Sequence, residues 1–448
     1  MTNPGSEPVA QDGPILCVDV GSTFTKGLLV AADGSVCRAA ATPTTLATDV
    51  LDGIDTVRAL TGAPRETPVV ACSSAGGGLR LAVVGYEASV TALAGHRVGL
   101  SAGARIVHVF AGRLDRASMA DLRASRPDLV LLVGGTDGGN ADVLLHNATR
   151  LGSARFTAPV VLAGNADVAD RARAALERTG RTVVVADNVL PRIGVIAPQS
   201  ARTAIRAAFL RHVIGGKHLS RSADFVRLVR CATPDAVLRG VEVLAGAGVG
   251  DALTIDIGGA TTDVYSAVTP MGEDAGVRRE ISPQLRFART VEADLGMRWS
   301  APGVVEAADR EHLTLGSTTR AYAEAVLHDV AHLPGSPGEW ESELALATVA
   351  AVVAARRHGR AAGPGEAPRA LRDVGILIGS GGVLRHAPTG SAERVLGAVL
   401  ADHGGGWLVP RAARGRVDSA YVLFAVGLLA DDHPRRADAL ARSLLDPR

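Results

Sequence analysis

The run Ile15-Leu16-Cys17-Val18-Asp19-Val20-Gly21-Ser22-Thr23-Phe24-Thr25-Lys26 sets an aspartate near the end of an apolar stretch, then a Gly/Ser/Thr turn, then a second apolar stretch. That is the pattern of a strand, a tight turn and a returning strand. The same design recurs far downstream as Leu253-Thr254-Ile255-Asp256-Ile257-Gly258-Gly259-Ala260-Thr261-Thr262-Asp263. Gly21, Gly258 and Gly259 lack a Cβ, so the backbone can bend sharply and bring N–H groups close to phosphate oxygens. Ser22, Thr23, Thr25, Thr261 and Thr262 add hydroxyls. Asp19 and Asp256 repel phosphate directly, so a hydrated Mg²⁺ between carboxylate and phosphate is the expected intermediary. Lys26 supplies a compact positive charge. It and Lys217 are the only lysines among the 47 lysines and arginines of the chain.

Either segment alone also has an ordinary turn as its bland reading. Two copies weaken that reading, and a third segment weakens it further. Val374-Gly375-Ile376-Leu377-Ile378-Gly379-Ser380-Gly381-Gly382-Val383-Leu384 is a buried-type strand running into a glycine-rich turn. Glycines at 379, 381 and 382 would let a flat adenine lie against backbone, and the turn can open a helix whose N-terminus favours an anion. In this order the three segments resemble the actin-like ATPase superfamily. The resemblance implies an α/β fold of two ribonuclease H-like domains around a nucleotide cleft, with ATP and Mg²⁺ as cofactors. Asp19, Lys26 and Asp256 would be the catalytic groups, with Asp19 and Asp256 positioning Mg²⁺ through water. Gly21, Ser22, Thr23, Thr25, Gly258, Gly259, Thr261, Thr262, Gly379, Ser380, Gly381 and Gly382 would hold the nucleotide.

A chain of 448 residues that is 47% hydrophobic is long and apolar enough for two or three domains. A net charge of +1 gives no reason to expect nucleic-acid or acidic-membrane binding. Cys17, Cys37, Cys72 and Cys231 are scattered, which argues against a zinc site or a disulfide framework and for a reducing cytoplasm. Residues 1–13 are polar and expected to form a disordered tail without the features of a signal peptide. The longest apolar runs, Leu344 to Ala355 and Ala420 to Ala430, are too short to span a bilayer and read as buried helices.

The first actin-like domain is expected to begin at residues 14–103. A strand over Val69 to Ser73 leads to Gly76 to Gly78, read as a hairpin or bulge rather than a further ligand loop. From 104 to 190, strand-like runs at 105–110, 129–133, 160–163 and 182–185 alternate with helix-length segments, the signature of an inserted parallel α/β module. Its Gly134-Gly135-Thr136-Asp137-Gly138-Gly139-Asn140 loop is either a ligand loop at a sheet's carboxyl edge or a strand stop with Asp137 or Asn140 as helix cap. Residues 191–250 return to the core, with an amphipathic helix through Phe209, and 251–448 form the second domain. There, 286–298 reads as a loop entering a helix, with Glu292 and Asp294 as candidate carboxylates against the default of a charged helix start. Arg356 to Pro368 reads as a linker, and His386 as packing or solvent contact.

Seven segments together are similar to a narrower family: 72–79, 134–140, 163–165, 187–191, 256–264, 289–298 and 379–384. They resemble the MutL/GlmL family, which accompanies the adenosylcobalamin-dependent glutamate (methylaspartate) mutase, over nearly the whole chain. This resemblance implies an ATP-dependent chaperone or reactivase with the mutase subunits as partners, a homo-oligomer being open. The chain has no Asp-x-His-x-x-Gly segment of the cobalt-ligating kind, which argues against the mutase itself. Two other readings are a small-molecule kinase on the same fold, with Asp263 or Glu292 as base, and a nucleotide-gated scaffold without turnover.

Overall fold

The computed structural model describes residues 13–155, 157–215, 219–269, 285–361 and 368–445; most of the expected N-terminal tail, residues 362–367 of the expected linker, and Lys217 lie outside them. In chain order the strands begin with β1 (Ile15–Val20), β2 (Phe24–Val30), β3 (Val36–Pro43) and β4 (Val69–Ser73). Next come β5 (Arg80–Gly85), β6 (Arg105–Ala111), β7 (Leu129–Leu132), β8 (Val160–Leu162) and β9 (Val183–Val185). Then follow β10 (Val229–Ala232), β11 (Ala252–Ile257), β12 (Thr262–Ala267), β13 (Phe287–Glu292), β14 (Ile376–Ser380) and β15 (Arg414–Val417).

These strands form three sheets, and two are copies of one plan. The first has order β3-β2-β1-β4-β10 and the second β13-β12-β11-β14-β15. In both, the first three strands form an antiparallel meander and the next two pair in parallel. That shared order and direction is the ribonuclease H-like plan, so the molecule is α/β with two such domains. Every residue of β1 is buried, as a strand covered on both faces requires. Its side chains alternate between cores: Leu16, Val18 and Val20 enter one cluster, Ile15 and Cys17 another.

The third sheet, β6-β5-β7-β8-β9, is wholly parallel, as the alternation of strand and helix predicts. It begins at Arg80 rather than near residue 104. Consequently Val69–Ser73 and Arg80–Gly85 are not the two arms of a hairpin. Three successive positive-φ glycines, Gly76, Gly77 and Gly78, carry the chain out of the first sheet and into the third. Phe287–Glu292 pairs antiparallel with β12 over its whole length and is a strand, not a loop entering a helix. Arg356 to Gly359 belong to the helix Pro337–Gly359, so the linker is shorter than the composition implied.

Two helices run between the ribonuclease H-like sheets, Thr233–Leu244 and Val422–Leu429. They share one core with β1, β4, β11, β12 and β14. Their close approach depends on two glycines. A Cβ on Gly240 would collide with the carbonyl of Leu423, and one on Gly427 with the carbonyl of Ala236. The apolar runs at 344–355 and 420–430 are largely buried helix. Among the described residues, no helix is long and apolar enough to cross a membrane.

Candidate functional site

The two hairpins close in the same way. Gly21 N–H donates to the Phe24 carbonyl at 3.1 Å, and Gly258 N–H to the Thr261 carbonyl at 2.9 Å. In the first, strand register sets Asp19 opposite Lys26, with Lys26 Nζ 3.6 Å from Asp19 Oδ2. Asp19 is almost fully buried, and its other oxygen accepts from Thr233 Oγ1 at 2.6 Å. Cys72 Sγ lies 3.7 Å from that oxygen. Thr233 opens the first crossing helix, with Pro234 in its first turn, so this helix starts beside the carboxylate. Ser22 and Thr23 are exposed at the turn.

In the second hairpin, Asp256 lies opposite Asp263 on β12 and Ser380 on β14. Burial pushes the Asp256 carboxyl up to about 6; Lys26 opposes this, Asp263 and Asp19 add to it, and the Ser380 hydroxyl opposes it. Asp19 and Lys26 of the first hairpin thus act on Asp256 of the second, and the strands that carry the two hairpins, β1 and β11, contribute to one core. Crowded carboxylates of this kind suit a cation held between them. Among the described residues no group of three or more His, Cys, Asp or Glu is set to hold a metal. Two carboxylates would suit a Mg²⁺ that keeps several waters and takes phosphate ligands. Asp263 is otherwise engaged: Thr261 Oγ1 donates to it at 2.9 Å, and buried Arg289 at 2.8 Å through Nε.

The third segment lies beside the second hairpin. Gly381 has φ 107°, and a Cβ there would collide with the carbonyl of Ile257, so glycine is what allows the loop to press against β11. Gly382 opens a single helical turn, Gly382–Arg385. Gly379 is packed under Leu384 and Leu396, and its carbonyl accepts from the Asp418 N–H at 2.9 Å. Asp418 in turn caps the second crossing helix, accepting from the Val422 and Leu423 N–H groups at 2.7 and 3.1 Å. Tyr421, at the start of that helix, lies under Lys26, whose Nζ is 3.8 Å from the ring centroid.

Not every expected group faces the cleft. Thr25 is fully buried, its hydroxyl 3.2 Å from that of Thr44. Thr262 is buried too and donates to the Leu295 carbonyl at 2.6 Å. Glu292 and Asp294 are held by Arg357, at 2.8 Å and 2.7 Å from its Nη1. Burial raises the Glu292 carboxyl against the pull of Arg357. At Asp294 burial also pushes upward, but hydrogen bonding and charge from Arg357 leave the carboxyl below its usual range. In the module, the Gly134 to Asn140 loop is laced to its neighbours. Asp137 accepts from Ala166 N–H at 2.9 Å and Asn188 Nδ2 at 2.8 Å, and Asn165 Nδ2 donates to Gly139 at 3.2 Å. Asp137 does not cap the next helix, which begins after Ala141, whereas the Asn140 side chain accepts from the first N–H of that helix, Asp142, at 3.1 Å. His386 ends the turn after the third segment, and burial lowers its pKa.

Thr233, Arg289, Asp418 and Tyr421 were not expected. For two of them a signal exists: Thr233 precedes a proline at a helix start, and Asp418 precedes an apolar run as a cap does. Two ribonuclease H-like domains, each presenting an Asp-bearing hairpin to a shared cleft, define an actin-like ATPase superfamily fold.

Within that fold, the chain belongs to the MutL protein family, whose model matches residues 15–445. It is 32% identical over 458 residues to "Protein MutL" of Clostridium tetanomorphum, covering 96% of this chain and 98% of that one. Among solved structures, the activator of 2-hydroxyisocaproyl-CoA dehydratase from Clostridium difficile with bound ADPNP overlays with TM-score 0.33 and 11% identity, covering 96% of each chain. A ROK family glucokinase from Streptomyces griseus in complex with glucose and AMPPNP gives TM-score 0.33 and 13% identity, over 96% of this chain and 100% of that one.

Proposed function

We propose that the cleft binds and hydrolyses ATP, and that the protein uses this cycle as an accessory factor, a reactivase, of an adenosylcobalamin-dependent glutamate mutase. The observation that carries the first half is the convergence of Asp19, Lys26 and Asp256 from two hairpins of identical closure. Asp19 and Asp256 would hold Mg²⁺ through water. Bound there with ATP, it would neutralise charge on the β- and γ-phosphates. The backbone of Gly21, Gly258 and Gly259 and the exposed hydroxyls of Ser22 and Thr23 are available to the polyphosphate. Lys26 balances charge that grows on the transferred group. Asp256, at the end of β11 beside the second hairpin's turn, would orient the attacking water.

The second half rests on family membership and on a physical rationale. A cobalamin radical enzyme that loses its adenosyl group traps a damaged cofactor, and releasing it means loosening tightly held subunits. An ATPase whose two domains differ in client affinity between nucleotide states can do that, up to the limit of the affinity difference. A kinase needs a free carboxylate base, whereas Asp263 and Glu292 are both in ion pairs with arginine. The test is to incubate purified protein and Mg–ATP with cobalamin-inactivated glutamate mutase. Recovery of mutase activity that requires hydrolysable ATP is expected. Phosphate transfer to a small molecule, or no recovery with ATP, would contradict the reading.

A further inference from the structure

We infer that Tyr421 is a positioning residue for Lys26, an aromatic seat that fixes the ammonium in the cleft. The inference rests on the ATP-site reading above for its consequence, but on geometry for its substance. Tyr421 has φ 61° and ψ 46°, the left-handed region that side chains other than Gly, Asn and Asp rarely enter. It is one of three non-glycine residues with positive φ among the described residues. Such strain persists where the surroundings over-determine it, and it gathers at functional sites.

The surroundings here are specific. Asp418 caps the helix that follows Tyr421 and ties its start to β14 through the Gly379 carbonyl. The bend sets the ring with Lys26 Nζ 3.8 Å and Arg385 Cζ 5.1 Å from its centroid. One cation comes from the first domain's hairpin and the other from the turn after Gly381 in the second. A lysine's four-carbon stem is flexible, and with Asp19 alone its ammonium keeps several rotamers. A ring face beneath it removes that freedom at the point where the phosphates would lie. An alanine or leucine with the same backbone would leave Lys26 held by one carboxylate.

Selective labelling tests this directly, because the chain holds only two lysines. With ¹³C at lysine Cε, the Lys26 signal, assigned by Lys26→Arg, should carry an upfield ring-current shift. That shift should vanish in Tyr421→Leu and stay in Tyr421→Phe. Tyr421→Gly, which suits the left-handed backbone, removes the ring without strain and serves if the leucine variant fails to fold. Loss of the seat should lower kcat for phosphate release on the order of tenfold, as a cation–π contact of usual strength predicts, and Tyr421→Phe should restore it. An unshifted Lys26 signal in the parent protein, or full kcat in Tyr421→Leu and Tyr421→Gly, would overturn the inference. If the parent protein releases no phosphate, the ATPase reading fails, while the nucleotide-free spectrum still decides whether Tyr421 seats Lys26.

Discussion

Arg289 of the second domain donates through Nη1 to the carbonyl oxygen of Ala104 at 3.1 Å, where the third sheet's β6 begins. Its Nε binds Asp263, and Asp263 accepts from Thr261 in the second hairpin. A continuous set of bonds thus joins the second hairpin to the inserted module. Arg289→Met would strand the Asp263 charge beside Asp256. The expected cost is about 3–5 kcal/mol of stability, the usual result of breaking a buried pair. Chemical denaturation should show it, and Asp263→Asn in the same chain should restore much of it.

The hairpins were legible because everything they need is local: alternation, an aspartate at the strand end and a glycine turn. Thr25 and Thr262 were misplaced for a reason also present in the sequence. With Asp19 opposite Lys26 and Asp256 opposite Asp263, strand alternation sends the residue before each partner, Thr25 or Thr262, to the other face. The start of the third sheet at Arg80 was not legible, because a strand near a glycine run looks the same whichever sheet receives it. Phe287–Glu292 carries Arg289, Thr290 and Glu292, so its strand character comes from pairing with β12 rather than from apolar pattern. Tyr421 acquires its role only when the chain's last third folds back on its first hairpin, which no local pattern reports.

Asp256 makes stability depend on pH in a definite direction. Its carboxyl is raised from the usual 3.8 to about 6, so the folded state holds the proton more tightly than the unfolded one. Its contribution is therefore full below about pH 4 and lost as pH rises through 6. Asp256→Asn should stabilise the nucleotide-free protein at pH 7.5 by about 1–3 kcal/mol and flatten the fall between pH 4 and 6. Thermal melts across that range would show it. A destabilised Asn variant at pH 7.5 would contradict the assignment.

The crossing helices give a packing prediction. Gly427→Ala places a methyl against the Ala236 carbonyl and Gly240→Ala one against that of Leu423. Each should cost about 1–3 kcal/mol through overpacking, despite alanine's better helix propensity. Alanine at Gly397, a helical position with no atom within 4 Å of the added Cβ, should instead be neutral or stabilising.

Thiol chemistry should separate one cysteine from the other three. Cys37 is exposed, whereas Cys17, Cys72 and Cys231 are buried. Burial pushes the Cys17 thiol up to about 12 and raises those of Cys72 and Cys231. A thiol reagent at pH 8 should modify one cysteine per native chain and all four after unfolding. Fast modification of Cys72 would mean that the cleft beside Asp19 is open to solvent.

The central claim is an ATPase site shared by two hairpins, and phosphate release from Mg–ATP by purified protein tests it most directly. The parent protein should release phosphate only with Mg²⁺ present. Asp256→Asn should retain nucleotide binding and lose turnover by a factor on the order of 100 or more. Unchanged phosphate release in Asp256→Asn, or none from the parent protein with or without the mutase, would contradict the account.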